Sequence, residues 1–156
     1  MKICRDVNEL NRRLKHLAGK KIVFTNGVFD IIHPGHIELL EFAKKNGDCL
    51  IVGINDDESV KRLNKGEGRP VFPLSERMEV LAAVEFVDYV IPFSQDTPSV
   101  LINALCRVDV LVKGGDYKPA EVVGREKVEA AGGQLLLFEI KSAYSTSSLI
   151  EKVKSL

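Results

Sequence analysis

Five short apolar runs recur along the chain: KIVFTN from Lys21, CLIVGIN at 49–55, DYVIPF at 88–93, DVLVKGG at 109–115 and QLLLFEI at 134–140. Each is separated from the next by a segment long enough for a helix. Runs that are apolar at consecutive rather than alternate positions belong to strands buried on both faces, the situation of a parallel sheet. Parallel neighbours need crossover connections, which are right-handed, and the intervening segments supply them. The pattern therefore predicts a doubly wound α/β fold with a five-stranded parallel sheet and Rossmann-like layering. With 156 residues, 45% of them hydrophobic, the chain has material for one well-cored domain spanning 1–156.

The helices declare themselves by capping and periodicity. In 6–18, Val7, Leu10, Leu14 and Leu17 share a helical face, with Asp6 and Glu9 in capping-box spacing, so 1–20 reads as a leading helix. Pro34 opens a helix that Gly47 ends, and Ser75 is placed to cap another through about Val87. Pro92 closes the third strand, and Thr97–Pro98 starts a helix to about Cys106. Residues 119–131 form the next helix, stopped by Gly132 and Gly133. Ser145 caps a closing helix whose Leu149, Ile150 and Val153 are expected to face the core. The polar stretch 55–73 reads as a long basic loop.

Lys plus Arg (22) cancel Asp plus Glu (22), so no overall field draws nucleic acid or an anionic membrane, and any anion must be held locally. Cys4, Cys49 and Cys106 are widely spaced with no CxxC pair, which suggests neither a disulfide framework nor a zinc site, and no metal-ligating residues are assigned. No apolar run approaches the roughly 20 residues of a membrane span, and no apolar signal core follows the N-terminus. A cytoplasmic location is expected.

In doubly wound folds ligands lie beyond the carboxyl ends of the strands, here the loops 26–33, 55–73, 93–97, 113–118 and 141–145. The first of them, TNGVFDIIHPGH, sets His33 just before Pro34 and His36 in the first helical turn, beside free backbone N–H groups and the positive end of the helix dipole. Gly27 and Gly35 would let a bulky anion approach the backbone. Two imidazoles there could stabilise charge growing on a pentacoordinate phosphorus. An isolated H-x-x-H is equally compatible with a helix cap and a surface histidine. Lys61, Lys65 and Arg69 could fold over a triphosphate or form a solvated basic loop. Lys113 could meet a sugar's phosphate, and Gly114, Gly115 and Asp116 could approach a ligand or simply turn the chain. Arg77 could fork onto phosphate or pair with Glu76 or Glu79. Ser145, Thr146 and Ser147 could bind phosphate while capping their helix.

Gly27-Val28-Phe29-Asp30 and His33-Pro34-Gly35-His36 match the G-x-F-D and H-x-G-H elements of the cytidylyltransferase-like nucleotidyltransferases, which the chain resembles over most of its length. Arg77 before Leu81 falls on the family's R-x-x-x-L, and Ser145 to Ser148 on its closing S-T-S-S. The resemblance implies that His33 and His36 bind the triphosphate and stabilise the transition state, and that Arg77 and the Ser145, Thr146 and Ser147 turn hold nucleotide phosphates. Taken with the loop chemistry above, the expected catalytic residues are His33, His36, Arg77 and Lys113, and the expected nucleotide contacts are Asn26, Gly27, Val28, Phe29, Lys61, Lys65, Gly115, Asp116, Ser145, Thr146 and Ser147. Within the family, SQDTP (94–98), LVKGGDYKP (111–119) and RPV (69–71) look like the branch that adenylylates D-glycero-β-D-manno-heptose 1-phosphate. This implies ATP carried with Mg2+, a sugar 1-phosphate as acceptor, a stand-alone transferase and a homodimer. A cytidylyltransferase acting on glycerol 3-phosphate is the alternative, although KSAYSTSS departs from the R-T-x-G-I-S-T-T ending of those enzymes. A non-catalytic nucleotide-binding module is a second alternative, whereas a dinucleotide oxidoreductase would need a G-x-G-x-x-G that is missing.

Overall fold

Each apolar run becomes a strand in the computed structural model, which describes residues 1–156: β1 Ile22–Gly27, β2 Cys49–Asn55, β3 Tyr89–Phe93, β4 Val110–Gly114 and β5 Gln134–Phe138. All pairings are parallel, in the order β3-β2-β1-β4-β5. Helices α1 Val7–Leu14, α2 Pro34–Lys45, α3 Asp57–Arg62, α4 Leu74–Ala83, α5 Ser99–Ala104, α6 Arg125–Ala130 and α7 Thr146–Lys154 flank the sheet.

The strands feed two cores by strict alternation. Ile22 and Phe24 of β1, with Cys49 and Ile51 of β2, pack with Leu10 and Leu14 of α1 and Leu101 and Ile102 of α5. Val23, Leu50, Val52 and Ile54 point the other way, onto Leu39, Leu40 and Ala43 of α2 and Met78 and Leu81 of α4. Because both faces are covered, β2 is buried at every position. Each such aliphatic side chain contributes about 1.5–3 kcal/mol of transfer free energy.

Several boundaries differ from expectation. The leading segment is more than a helix: the Val90 N–H donates to Lys2 O at 3.0 Å and the Cys4 N–H donates to Val90 O at 2.9 Å, so residues 2–4 cover the outer edge of β3. Then α1 begins, capped by Asp6 accepting from the Glu9 N–H at 2.8 Å, and a 3-10 turn Lys15–Leu17 follows it. The stretch 55–73 is not all loop. Asp56 accepts from the Ser59 N–H at 2.8 Å and starts α3, a cap that the count of basic residues obscured. Helix α4 starts one residue before Ser75, with Pro73 as its N-cap. Residues 119–131 split into a 3-10 turn Pro119–Glu121 and α6, divided at Gly124. There φ is 90°, and a Cβ would lie 2.5 Å from Ile102 Cδ1, so only glycine fits. In α7, Leu149 and Ile150 are half-buried, but Val153 is 70% exposed, and every residue from Glu151 onward is likewise exposed.

The order of strands has one reversal. From β1 the chain moves outward through β2 to β3, then returns to lay β4 on the other side of β1. The crevice between the carboxyl ends of β1 and β4 is thus the switch point of the sheet.

Candidate active site

Loop 28–33 leaves β1 at this crevice and enters α2. Phe29 takes the left-handed conformation (φ 47°), which costs a bulky residue about 1–2 kcal/mol, and its ring is buried with its centroid 5.1 Å from that of His36. Gly27 answers to that ring, since a Cβ on it would stand 3.0 Å from Phe29 Cε2. A Cβ on Gly35 would meet Ile140 Cγ2 at 2.9 Å, Ser142 Cβ at 3.0 Å and His33 Cε1 at 3.1 Å. Both glycines therefore serve close packing within the protein.

The imidazoles of His33 and His36 lie 3.8 Å apart between centroids, inclined at 31°. The backbone N–H of His33 donates to Nδ1 of His36 at 3.4 Å, which leaves Nε2 of His36 to carry the ring proton. Burial, then the neighbouring His33 and Arg69, pushes His36 down to about 4, so it is neutral at pH 7. Burial also lowers His33, whose Nδ1 is buried without a hydrogen-bond partner.

Around these rings runs a cavity of about 510 Å³, within the range of small-molecule sites. Asn26 and Gly27 line it from the end of β1, Val28, Phe29 and His33 from the first loop, His36 from the first turn of α2, Lys65 and Arg69 from the segment before α4, and Lys113, Gly114 and Tyr117 from the end of β4 and the turn after it. Ser145, Thr146 and Ser147 complete it at the start of α7. Two helix N-termini therefore open on one space. Helix α7 is closed by reciprocal bonds: Ser145 Oγ accepts from the Ser148 N–H at 3.1 Å, and the Ser145 N–H donates to Ser148 Oγ at 2.8 Å. Thr146 Oγ1 donates to Ile31 O at 3.4 Å, tying α7 to the first loop. Lys113 Nζ donates to Asn26 Oδ1 at 3.2 Å, and burial, then the charge of Lys65, brings it down to about 8.

Four of the expected residues lie outside this lining. Arg77 is 1% exposed and bonded on every side: Nε donates to Phe72 O at 3.0 Å, Nη1 to Val28 O at 2.7 Å and Asn55 O at 2.9 Å, and Nη2 to Asp57 Oδ1 at 2.6 Å. Its acid is Asp57, neither Glu76 nor Glu79, and it clamps the first loop to β2 from behind. Lys61 stands on the exposed side of α3 and donates to Glu58 at 2.6 Å. Gly115 takes a left-handed turn (φ 109°), and Asp116 is exposed at its tip. Conversely, Asp30 escaped assignment. Its side chain, 0% exposed, accepts from Arg69 Nε and from the backbone N–H groups of Val71 and Phe72. Only its place in G-x-F-D marked it in the sequence, because its partners are remote along the chain. No group of three or more His, Cys, Asp or Glu side chains forms a metal cage.

A switch-point cavity with cationic walls, paired neutral imidazoles and converging helix dipoles suits an enzyme that passes a phosphorus group between anions, as nucleotidyltransferases do. Residues 24–152 match the family model described as cytidylyltransferase-like, and the chain belongs to that family. It is a nucleotidyltransferase.

The chain is 54% identical over 138 residues to the bifunctional protein HldE of Haemophilus influenzae, covering 88% of this chain and 29% of that protein. It is 53% identical over 137 residues to the HldE of Yersinia pestis, covering 88% and 28%. The chain thus spans less than a third of the length of these curated relatives. A lipopolysaccharide core biosynthesis protein from Thermoplasma volcanium aligns with a TM-score of 0.61 at 30% identity, over 81% of this chain and 100% of that one. A pantoate-beta-alanine ligase from Francisella tularensis shares the fold, with a TM-score of 0.60 at 18% identity over 100% of this chain and 73% of that one. No helix is long and apolar enough to cross a membrane.

Proposed function

We propose that residues 1–156, acting as one domain in the cytoplasm, transfer the adenylyl group of ATP to D-glycero-β-D-manno-heptose 1-phosphate, yielding ADP-heptose and pyrophosphate. The observation that carries this reading is the convergence of His33, His36, Lys113 and the N-termini of α2 and α7 on one cavity. Similarity to HldE and to a lipopolysaccharide core biosynthesis protein supports the choice of sugar. A homodimer, implied by the family resemblance, belongs to the same proposal.

An oxygen of the sugar's phosphate attacks the α-phosphorus, a new P–O bond forms, and the bond from the α-phosphorus to the bridging oxygen breaks as pyrophosphate departs. The attacking oxygen is already anionic, so no base is required. The protein must hold two mutually repelling anions in line and offset the charge that builds between them. His36 suits this, because a neutral ring with its proton on Nε2 donates a hydrogen bond without first losing a proton. His33 adds a second imidazole, while the helix N-termini, Lys65 and Lys113 draw the polyphosphate. Magnesium would arrive on the nucleotide's phosphates, as the protein offers no carboxylate cage of its own.

The test is incubation of the purified chain with ATP or CTP, magnesium and a panel of sugar 1-phosphates and glycerol 3-phosphate, with product identification by mass. ADP-heptose is expected. A cytidine product, or none, would sink the assignment.

A further inference from the structure

We propose that Asp30 is a positioning residue that aims Arg69 at the polyphosphate, holding the guanidinium by Nε so that its two terminal nitrogens serve the ligand. This rests on the reading above that the cavity binds a nucleoside triphosphate.

Asp30 is fully buried, and its oxygens are occupied. Oδ2 accepts from Arg69 Nε, the Val71 N–H lies 2.9 and 2.8 Å from the two oxygens, and the Phe72 N–H donates to Oδ1 at 2.9 Å. A carboxylate so engaged is not a free base, and a phosphate nucleophile has no proton to surrender.

Arg69 is the other half of the device. Its side chain is 7% exposed and lines the cavity, yet Nε is its only group bonded within the protein. Four of the five N–H donors of a guanidinium sit on the terminal nitrogens. Those are the donors that fork onto phosphate oxygens. A nearly buried cation is costly without a counter-charge, and Asp30 supplies one without using the fork.

The approach to Arg69 is not set by regular structure. Asn64, Gly66 and Gly68 all take left-handed conformations between α3 and this residue. The carboxylate of Asp30 is what fixes the strand of chain that carries Arg69, and Arg77 secures its far end through Phe72 O.

Binding of ATP, and of inorganic triphosphate as a base-independent probe, is measured by calorimetry on the full chain. The variants are Arg69→Ala, Arg69→Lys, Asp30→Asn and the double variant Asp30→Asn/Arg69→Ala, with melting curves and pyrophosphate release alongside. Loss of the charge-assisted fork is expected to weaken binding roughly tenfold or more in Arg69→Ala. Arg69→Lys should lose about as much, because one ammonium cannot serve both Asp30 and the ligand. Asp30→Asn should weaken binding by a comparable factor, and the double variant by no more than about twofold beyond Arg69→Ala. An Asp30→Asn protein that folds and binds like wild type overturns the proposal, as does a double variant whose loss is the product of the single losses. Should Asp30→Asn fail to fold, Arg69→Lys binding like wild type overturns it. Wild-type protein that binds ATP but releases no pyrophosphate with any sugar 1-phosphate defeats adenylyl transfer alone, and the pair is then judged by the affinities. Wild-type protein that binds neither ATP nor triphosphate defeats both.

Discussion

The backbone N–H of His33 donates to Nδ1 of His36 at 3.4 Å, with the two rings 3.8 Å apart. The start of α2 thereby chooses the tautomer of its own third residue and turns His36 into a neutral donor. His36→Ala should lower kcat by about 100-fold or more, the scale of losing one transition-state donor, while ATP affinity changes by only a few-fold. Steady-state kinetics paired with calorimetry would read this, and an unchanged kcat would remove His36 from the chemistry.

Acidification should destabilise the protein through the same pair. His36 falls from 6.5 to about 4 on burial, and His33 shifts in the same direction. Above pH 6.5 both rings are neutral in folded and unfolded chains, and the full stability is present. As pH drops from 6.5 towards 4 the unfolded chain gains a proton at His36 that the folded one refuses, at up to about 1.4 kcal/mol per pH unit, and His33 acts in the same direction. Tm should fall between pH 7 and 5, and His36→Asn should fall less steeply. Parallel curves would contradict the burial effect.

Lys113 titrates near pH 8 because it is buried and faces Lys65. A bound triphosphate favours its charged form, so binding at pH 8 should take up about half a proton. Calorimetry in buffers of different ionisation enthalpy measures that number, and Lys113→Met should abolish it. Equal uptake in the variant would assign the proton elsewhere.

Arg77 and Lys61 should behave oppositely from one another. Removing the Arg77 guanidinium strands three carbonyls and Asp57, so Arg77→Ala should cost about 3–5 kcal/mol of stability in a denaturant titration. Lys61→Ala, which breaks only an exposed pair with Glu58, should leave stability within about 0.5 kcal/mol and leave turnover unchanged. A stable Arg77→Ala protein would show that the clamp is dispensable.

Strands and caps were legible along the chain because they depend on neighbours a few residues away. The apolar runs announced β1 to β5, and Pro34 and Ser145 marked the helix starts that open on the cavity. Asp56 was a cap of the same kind, but the charges around it disguised α3 as loop.

What the residue order could not say is which cations face the cavity. Arg69 and Arg77 are the same side chain eight positions apart, yet one lines the cavity and the other is spent on backbone carbonyls behind it. Local pattern determined that this chain builds a parallel sheet with phosphate-ready helix starts. Only tertiary structure decided the partners of its buried charges, because a buried ion is governed by whatever packs within a few ångströms. For Asp30 those groups lie 39 to 42 residues further on.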